Sequence, residues 1–167
     1  MTKEKNIILD HKDIQNRVRR IAYQIYESNV EEEELVIAGI EKGGFVLAKM
    51  IKKQLDAISD SKNYLCKVSI DKEEPLNTIR TSIESKDYSH KSIVLVDDVL
   101  NSGSTLMYAV RHFLDVPLKQ FKTAVLVNRN HKRFPIKADF KGISLSTSLK
   151  EHVNVNLEKS PYEAYLD

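Results

Sequence analysis

Cysteine occurs once in this chain of 167 residues, tryptophan not at all, and aromatic side chains make up only 7% of it. A lone cysteine, Cys66, excludes an intrachain disulfide and a cysteine-rich zinc site. Its neighbours, Tyr64-Leu65 before and Lys67-Val68 after, read as a strand, so Cys66 is expected in the core. The five histidines, at positions 11, 90, 112, 131 and 152, show no metal-ligand spacing. No aromatic platform for stacking bases stands out, and a net charge of +2 does not by itself argue for nucleic acid. The opening MTKEKNIILDHKD has no apolar run of signal length, and no later stretch is apolar for long enough to span a membrane. A cytoplasmic location follows by elimination. A GxSxG elbow, a Walker A loop and a Rossmann fingerprint are all missing, which excludes the common serine hydrolases and kinase-type nucleotide sites. There is no internal repeat and no low-complexity segment.

What is present is a globular composition, 41% hydrophobic and 30% charged, at a length that fits one domain over residues 1–167. Asn6 to Leu9 is a short apolar run, and Asp10 can cap a helix whose buried face is Ile14, Val18, Ile21 and Ile25. After the solvated acidic run Glu31 to Glu34, Leu35 to Ala38 read as a buried strand. A glycine-rich turn, Gly39 to Gly44, leads into a helix over Phe45–Leu55. Tyr64 to Ile70 form a third strand. From Asp71 to Lys91 the pattern breaks down, either as a mobile cover for a site or as an exposed linker. Ile93 to Val96 are again a strand, a helix follows from Ser104 to Leu114, and Phe121 to Val127 are the next strand. Alternating helices and near-continuously apolar strands predict an α/β fold with a parallel sheet flanked by helices. The basic, turn-rich tail, about 128–160, is expected to form a small hood over the carboxyl ends of the strands, where open α/β sheets bind ligands.

The segment Ser92 to Thr105, SIVLVDDVLNSGST, carries the chemistry. An apolar strand runs into Asp97 and Asp98, expected at its very end, where both carboxylates can accept charge-assisted hydrogen bonds from one ligand. Asn101, Ser102, Gly103, Ser104 and Thr105 then offer hydroxyls and backbone N–H groups at a helix start, an anion cradle. The alternative is an ordinary strand-to-helix turn with acids near the helix start. The turn Gly39-Ile40-Glu41-Lys42-Gly43-Gly44 also joins a strand to a helix. It is either a second anion loop or a plain turn.

The acid pair and its loop resemble the phosphoribosyl-pyrophosphate (PRPP) signature of type I phosphoribosyltransferases. The resemblance implies that Asp97 and Asp98 hold the ribose 2′ and 3′ hydroxyls, with Asp98 also a general-base candidate. It implies that Asn101 to Thr105 cradle the 5′-phosphate. Lys42, Gly43 and Gly44 take the place of the pyrophosphate loop, with a non-proline cis peptide at Glu41-Lys42. Magnesium would arrive on PRPP, with no direct protein ligand. The run from Leu126 to Gly142, with Ile8-Leu9-Asp10, Arg20-Ile21-Ala22 and Leu47-Ala48, resembles the family of bifunctional pyrimidine-operon attenuation proteins/uracil phosphoribosyltransferases. That family implies a base pocket with Arg129, His131 and Asp139. It implies PRPP, a nucleobase (uracil), pyrophosphate and a nucleoside monophosphate as ligands. It also implies a homodimer or higher oligomer, and binding of leader mRNA by Arg17, Arg19, Arg20 and His131-Lys132-Arg133.

A nucleotide-responsive RNA-binding regulator with weak or no transfer is the alternative function. A hypoxanthine-guanine enzyme, which shares the Lys-Gly-Gly-Phe turn, is another. The chain departs from the attenuator pattern in several places. Glu41-Lys42-Gly43 replaces Thr-Arg-Gly, the phosphate loop lacks a basic residue, Ile70-Asp71-Lys72 replaces an arginine-bearing run, and Asn128 replaces an acid. Gly142 to Thr147 replaces a Gly-Lys-Asn/Asp-Ile/Val-Pro-Thr stretch. Tyr162 and Tyr165 are read either as partner contacts or as a seal on the monomer's edge.

Overall fold

The computed structural model describes residues 4–146 and 150–167, so Thr147 lies outside the described residues. Strand β1 (Asn6–Leu9) leads into helix α1 (His11–Ser28). The helix begins where it does because Asp10 and Asp13 cap each other. The Asp13 N–H donates to Asp10 Oδ1 at 2.8 Å and the Asp10 N–H to Asp13 Oδ2 at 3.1 Å. Then come β2 (Glu34–Ile40), α2 (Gly43–Ile58), β3 (Lys62–Ser69), a short β4 (Arg80–Thr81), one turn of helix α3 (Ser85–Tyr88), β5 (Ser92–Leu100), α4 (Ser104–Phe113), β6 (Gln120–Arg129) and β7 (Phe140–Leu145). Strands β8 (Val153–Asn156) and β9 (Glu163–Leu166) close the chain.

Six strands form the main sheet in the order β4-β3-β2-β5-β6-β7, parallel except for the β3–β4 pair. After β2 the chain crosses by α2 to β3 on one side; after β5 it crosses by α4 to β6 on the other. The direction of winding therefore reverses between β2 and β5, and a crevice opens there at the carboxyl ends of both strands. One apolar layer packs α1 and α2 against the sheet through Ile14, Ile21, Leu47 and Ile51. The other packs α4 through Leu106, Ala109 and Phe113. Cys66 is fully buried in this second layer.

Three expectations change. The stretch 71–91 is not patternless: β4 pairs with β3, and Tyr88 is buried at 2% exposure with its ring edge-on to Phe113. Serine and isolated charges hid that anchor. The hood is not built from the tail alone. Its sheet, order β1-β9-β8, places the N-terminal strand beside the last one and reaches Leu166. Tyr162 and Tyr165 belong to this hood. Tyr162 donates its backbone N–H to His11 Nδ1 at 2.9 Å, and Lys5 Nζ lies 4.4 Å from the Tyr165 ring centre.

Third, two of the α1 arginines given above as RNA contacts have partners within the fold. Arg20 donates to the carbonyl of Lys141 at 2.9 Å and to that of Gly142, and Arg17 reaches the latter at 3.5 Å. Strand β7 is the last of its sheet, and these guanidinium groups tie α1 to it. Arg20→Met is expected to lower the melting temperature by about 2–4 °C, equivalent to about 1 kcal/mol. Thermal denaturation followed by circular dichroism checks this; an unchanged midpoint would show that these contacts add no stability.

Candidate active site

The crevice between β2 and β5 is lined by the acid-pair loop and the glycine-rich turn, and glycine decides how closely they approach. A Cβ on Gly43 would collide with the Asp98 carboxylate, and one on Gly44 would lie 2.7 Å from the Val96 carbonyl oxygen and 2.8 Å from Asp97 Cα. Only residues without side chains allow the start of α2 to rest on the acid pair. Gly39 has a similar role at the end of β2, where a Cβ would meet Phe45 Cα at 2.6 Å. The Glu41-Lys42 peptide between these glycines is cis.

Strand β5 does not end at the acids; it continues to Leu100. Asp97 consequently lies inside the sheet at 3% exposure, and Asp98 is half-buried. Each carboxylate accepts the N–H of the following residue, Asp97 from Asp98 at 2.9 Å and Asp98 from Val99 at 2.8 Å. Burial, and after it the neighbouring Asp98 charge, pushes the Asp97 carboxyl well above the usual carboxylate range. The Lys72 ammonium, 3.6 Å away, and the Asp98 N–H pull in the opposite direction.

Both helices that open on the crevice lack a side-chain cap: α2 begins after Lys42 and α4 after Gly103. Their first-turn N–H groups and positive dipole ends suit an anion. Gly103 sits at φ +89°, a backbone region that favours glycine. Its vacant side-chain direction is filled by the segment after β6, where a Cβ would meet Ile136 Cγ2 at 2.6 Å. A valine there is opposed by the backbone conformation and by Ile136. Ser102 is committed as well: its hydroxyl accepts from the Ser104 N–H at 3.2 Å, and its carbonyl accepts from Arg133 N at 2.9 Å and Phe134 N at 3.0 Å. Ser104 and Thr105, half-buried, complete the turn.

The sequence-predicted base pocket is only partly assembled here. Arg129, at the carboxyl end of β6, donates to Asn101 Oδ1 at 3.4 Å and so joins the phosphate loop. His131 is exposed on the segment that follows. Asp139 is not brought to the crevice. The chain returns to start β7 beside Ala124, and the Asp139 carboxylate accepts the Thr123 N–H at 2.9 Å. That point is near the start of β6, roughly 20 Å from Arg129 at about 3.3 Å of rise per residue. Asn128 is 5% exposed and donates to Ser144 Oγ at 3.2 Å.

Sequence reasoning missed Lys72, the cation nearest the acid pair. It lines a recess of about 80 Å³ together with Asp97, Val99, Leu100, Asn101 to Gly103, Thr105 and Leu106. Its signal was faint: one lysine in the acidic run Asp71-Lys72-Glu73-Glu74.

The phosphoribosyl transferase domain family matches residues 4–159. The Bifunctional protein PyrR of Thermoanaerobacter sp. (strain X514) is 35% identical over 167 residues, covering 94% of this chain and 93% of that protein. The Bifunctional protein PyrR of Caldicellulosiruptor saccharolyticus is 33% identical over 162 residues, covering 91% and 88%. Among solved structures, a hypoxanthine-guanine phosphoribosyltransferase from Bacillus anthracis superposes with a TM-score of 0.79 at 19% identity, covering 99% of both chains. The hypoxanthine phosphoribosyltransferase of Trypanosoma cruzi gives 0.74 at 17%, covering 89% and 84%. At those identities the two structures speak for the fold alone. A parallel sheet with its crevice at the switch point, flanked by helices and topped by a hood, is the type I phosphoribosyltransferase fold. The chain belongs to the PyrR/type I phosphoribosyltransferase family, and membership implies PRPP-dependent handling of a nucleobase.

The sign of the Asp97 shift gives a prediction. A carboxyl whose folded-state pKa is raised binds its proton more tightly when folded. Stability is then greatest below the unfolded value, about 3.9, and falls as the pH rises towards the raised folded value. Asp97→Asn removes that penalty. It is expected to raise the melting temperature at pH 7, with the gain shrinking as the pH is lowered towards 4. Differential scanning calorimetry across this range checks it; a loss of stability at pH 7 is the contrary result.

Proposed function

We propose that the crevice binds PRPP with magnesium and a nucleoside 5′-monophosphate. Asp97 and Asp98 receive the ribose hydroxyls, residues 101–105 the 5′-phosphate, and Lys42-Gly43-Gly44 the pyrophosphate. One observation supports this above the rest: the glycines of one anion loop rest directly on the acids that lead into the other. A ligand there meets hydroxyl acceptors between two helix N-termini. A ribose with phosphate groups at both ends has that shape and charge.

Magnesium suits this arrangement, since carboxylate and phosphate oxygens are hard ligands. When bound, the ion neutralises pyrophosphate charge. In the transfer reaction a nitrogen of the base attacks C1 of the ribose and gives up its proton, with Asp98 the candidate acceptor. The bond from C1 to the pyrophosphate oxygen breaks with its electron pair leaving on pyrophosphate. Positive charge builds on the sugar ring meanwhile, and fixed carboxylates beside it stabilise that state more than the ground state.

Two outputs can draw on this one site. A nucleotide-responsive RNA-binding regulator of pyrimidine genes draws broader support than a transferase specific for uracil. The likeness to proteins named bifunctional runs over more than nine tenths of the chain. Uracil as acceptor in a transferase rests on the tail from Leu126 to Gly142. Arg17 and Arg20 are engaged with β7, so Arg19 and the 131–133 segment are the better RNA candidates. A homodimer would place two such surfaces on one particle.

Purified protein should shift a pyrimidine-operon leader RNA more strongly with UMP and less strongly at high salt. Indifference to RNA sequence and to UMP would reject the regulatory reading. With PRPP, magnesium and each nucleobase in turn, pyrophosphate release reports transfer; tight PRPP binding without release for any base would reject the transferase reading. Where transfer occurs, Asp98→Asn is expected to lower its rate on the order of 100-fold, with a melting-temperature change below about 4 °C. Unchanged turnover with a large loss of stability would remove Asp98 from the site.

A further inference from the structure

Lys72 stands in the small recess between the acid pair and the phosphate loop, and its surroundings hold it there. Asp71, next to it, accepts the N–H groups of Glu73 at 3.0 Å and Glu74 at 3.1 Å, and the Asn77 side-chain amide at 3.3 Å. This turn fixes the backbone from which Lys72 projects. The Lys72 ammonium then lies 3.6 Å from Asp97 Oδ1, with its own side chain 46% exposed and that of Asp97 4% exposed.

The Lys72 ammonium faces Asp97 Oδ1 where this nearly buried carboxylate meets the recess, so a sugar hydroxyl that takes this oxygen displaces the amine. The same recess is lined by Asn101, Ser102, Gly103 and Thr105, so a phosphate seated on that loop arrives within reach of the displaced amine. A flexible, half-exposed lysine that loses one anion next to another will transfer to it. We propose that Lys72 is a ligand-binding residue of this site, paired with Asp97 in the free protein and exchanged onto the phosphate of an incoming ribose phosphate. The exchange would leave Asp97 to the sugar. This inference rests on the reading of the crevice as a ribose phosphate site.

The test uses the full chain with ribose 5-phosphate and with PRPP, both in the presence of magnesium, and measures affinity by calorimetry. Lys72→Met is expected to weaken both ligands at least 10-fold, and Lys72→Arg to recover affinity to within about 3-fold of the original protein, since it keeps the charge. Thermal melts of both variants verify that they are folded. Acetylation of Lys72, followed by mass spectrometry, is expected to slow further when ligand saturates the site. Affinity that is unchanged or tighter in Lys72→Met, or faster acetylation on saturation, overturns the inference alone, because the residue would then be inert or a simple plug. If the unmodified protein binds neither compound, the reading of the crevice falls and this inference with it.

Discussion

Everything at this site depends on a close approach: Gly43 and Gly44, at the start of α2, resting against Asp98 and Asp97 of β5. Parallel neighbouring strands whose crossovers run opposite ways always leave a crevice, but its width depends on the side chains at its walls. Here the walls have none on one side. The helix start can therefore deliver its unpaired N–H groups and dipole to the point where two carboxylates emerge from the sheet. A side chain at either glycine would separate the two anion loops and turn one cleft into two unconnected turns.

The same approach costs stability. Two adjacent carboxylates, one of them almost fully removed from water, repel each other and resist ionisation. A fold selected only for stability would place an apolar residue at position 97, as it does at Val94, Leu95 and Val96 just before it. The protein partly offsets the cost with the N–H of each following residue and with Lys72. It does not remove it. Local loss of stability at a point that also gathers two uncapped helix starts marks the place where ligand contacts complete the structure.

The fold was legible where burial and period agree. The face of α1 from Ile14 to Ile25, the apolar cores of β2, β5 and β6, and the capping role of Asp10 could all be read from residue spacing. The ends of strands could not. Asp97, Asp98 and Asn128 read as polar termini, yet β6 carries β5 past the acids on one side, and β5 and β7 together carry β6 through Asn128. A strand's length is set by its partners, not by its own composition. Tyr88 escaped notice for the same reason: one aromatic in a charged stretch shows no period, and only the presence of Phe113 beneath it makes it an anchor. For the site, both loops were visible as glycine- and hydroxyl-rich turns. Their contact with each other was not, because it joins residues more than fifty positions apart. Asp139 shows the converse error. It stands in a motif that suggests a pocket, but the register of β7 against β6 carries it to the far end of the strand.

Charge placement explains how a chain with a net charge of only +2 can bind a polyanion. Its basic residues are not interchangeable. Arg17 and Arg20 are engaged with carbonyls of the last strand of the sheet, and Lys5 and Lys119 with single surface acids. Lys42, Lys72 and Arg129 stand around the crevice, beside two carboxylates that nearly balance them. A bare phosphate would gain the cations and the helix starts but would meet the carboxylates as like charges. A neutral sugar would satisfy the carboxylates and leave the cations without an anion. Only a molecule that joins hydroxyl donors to phosphate meets both halves of this field at once. Selectivity here comes from the juxtaposition of opposite charges at short range, not from the protein's overall charge.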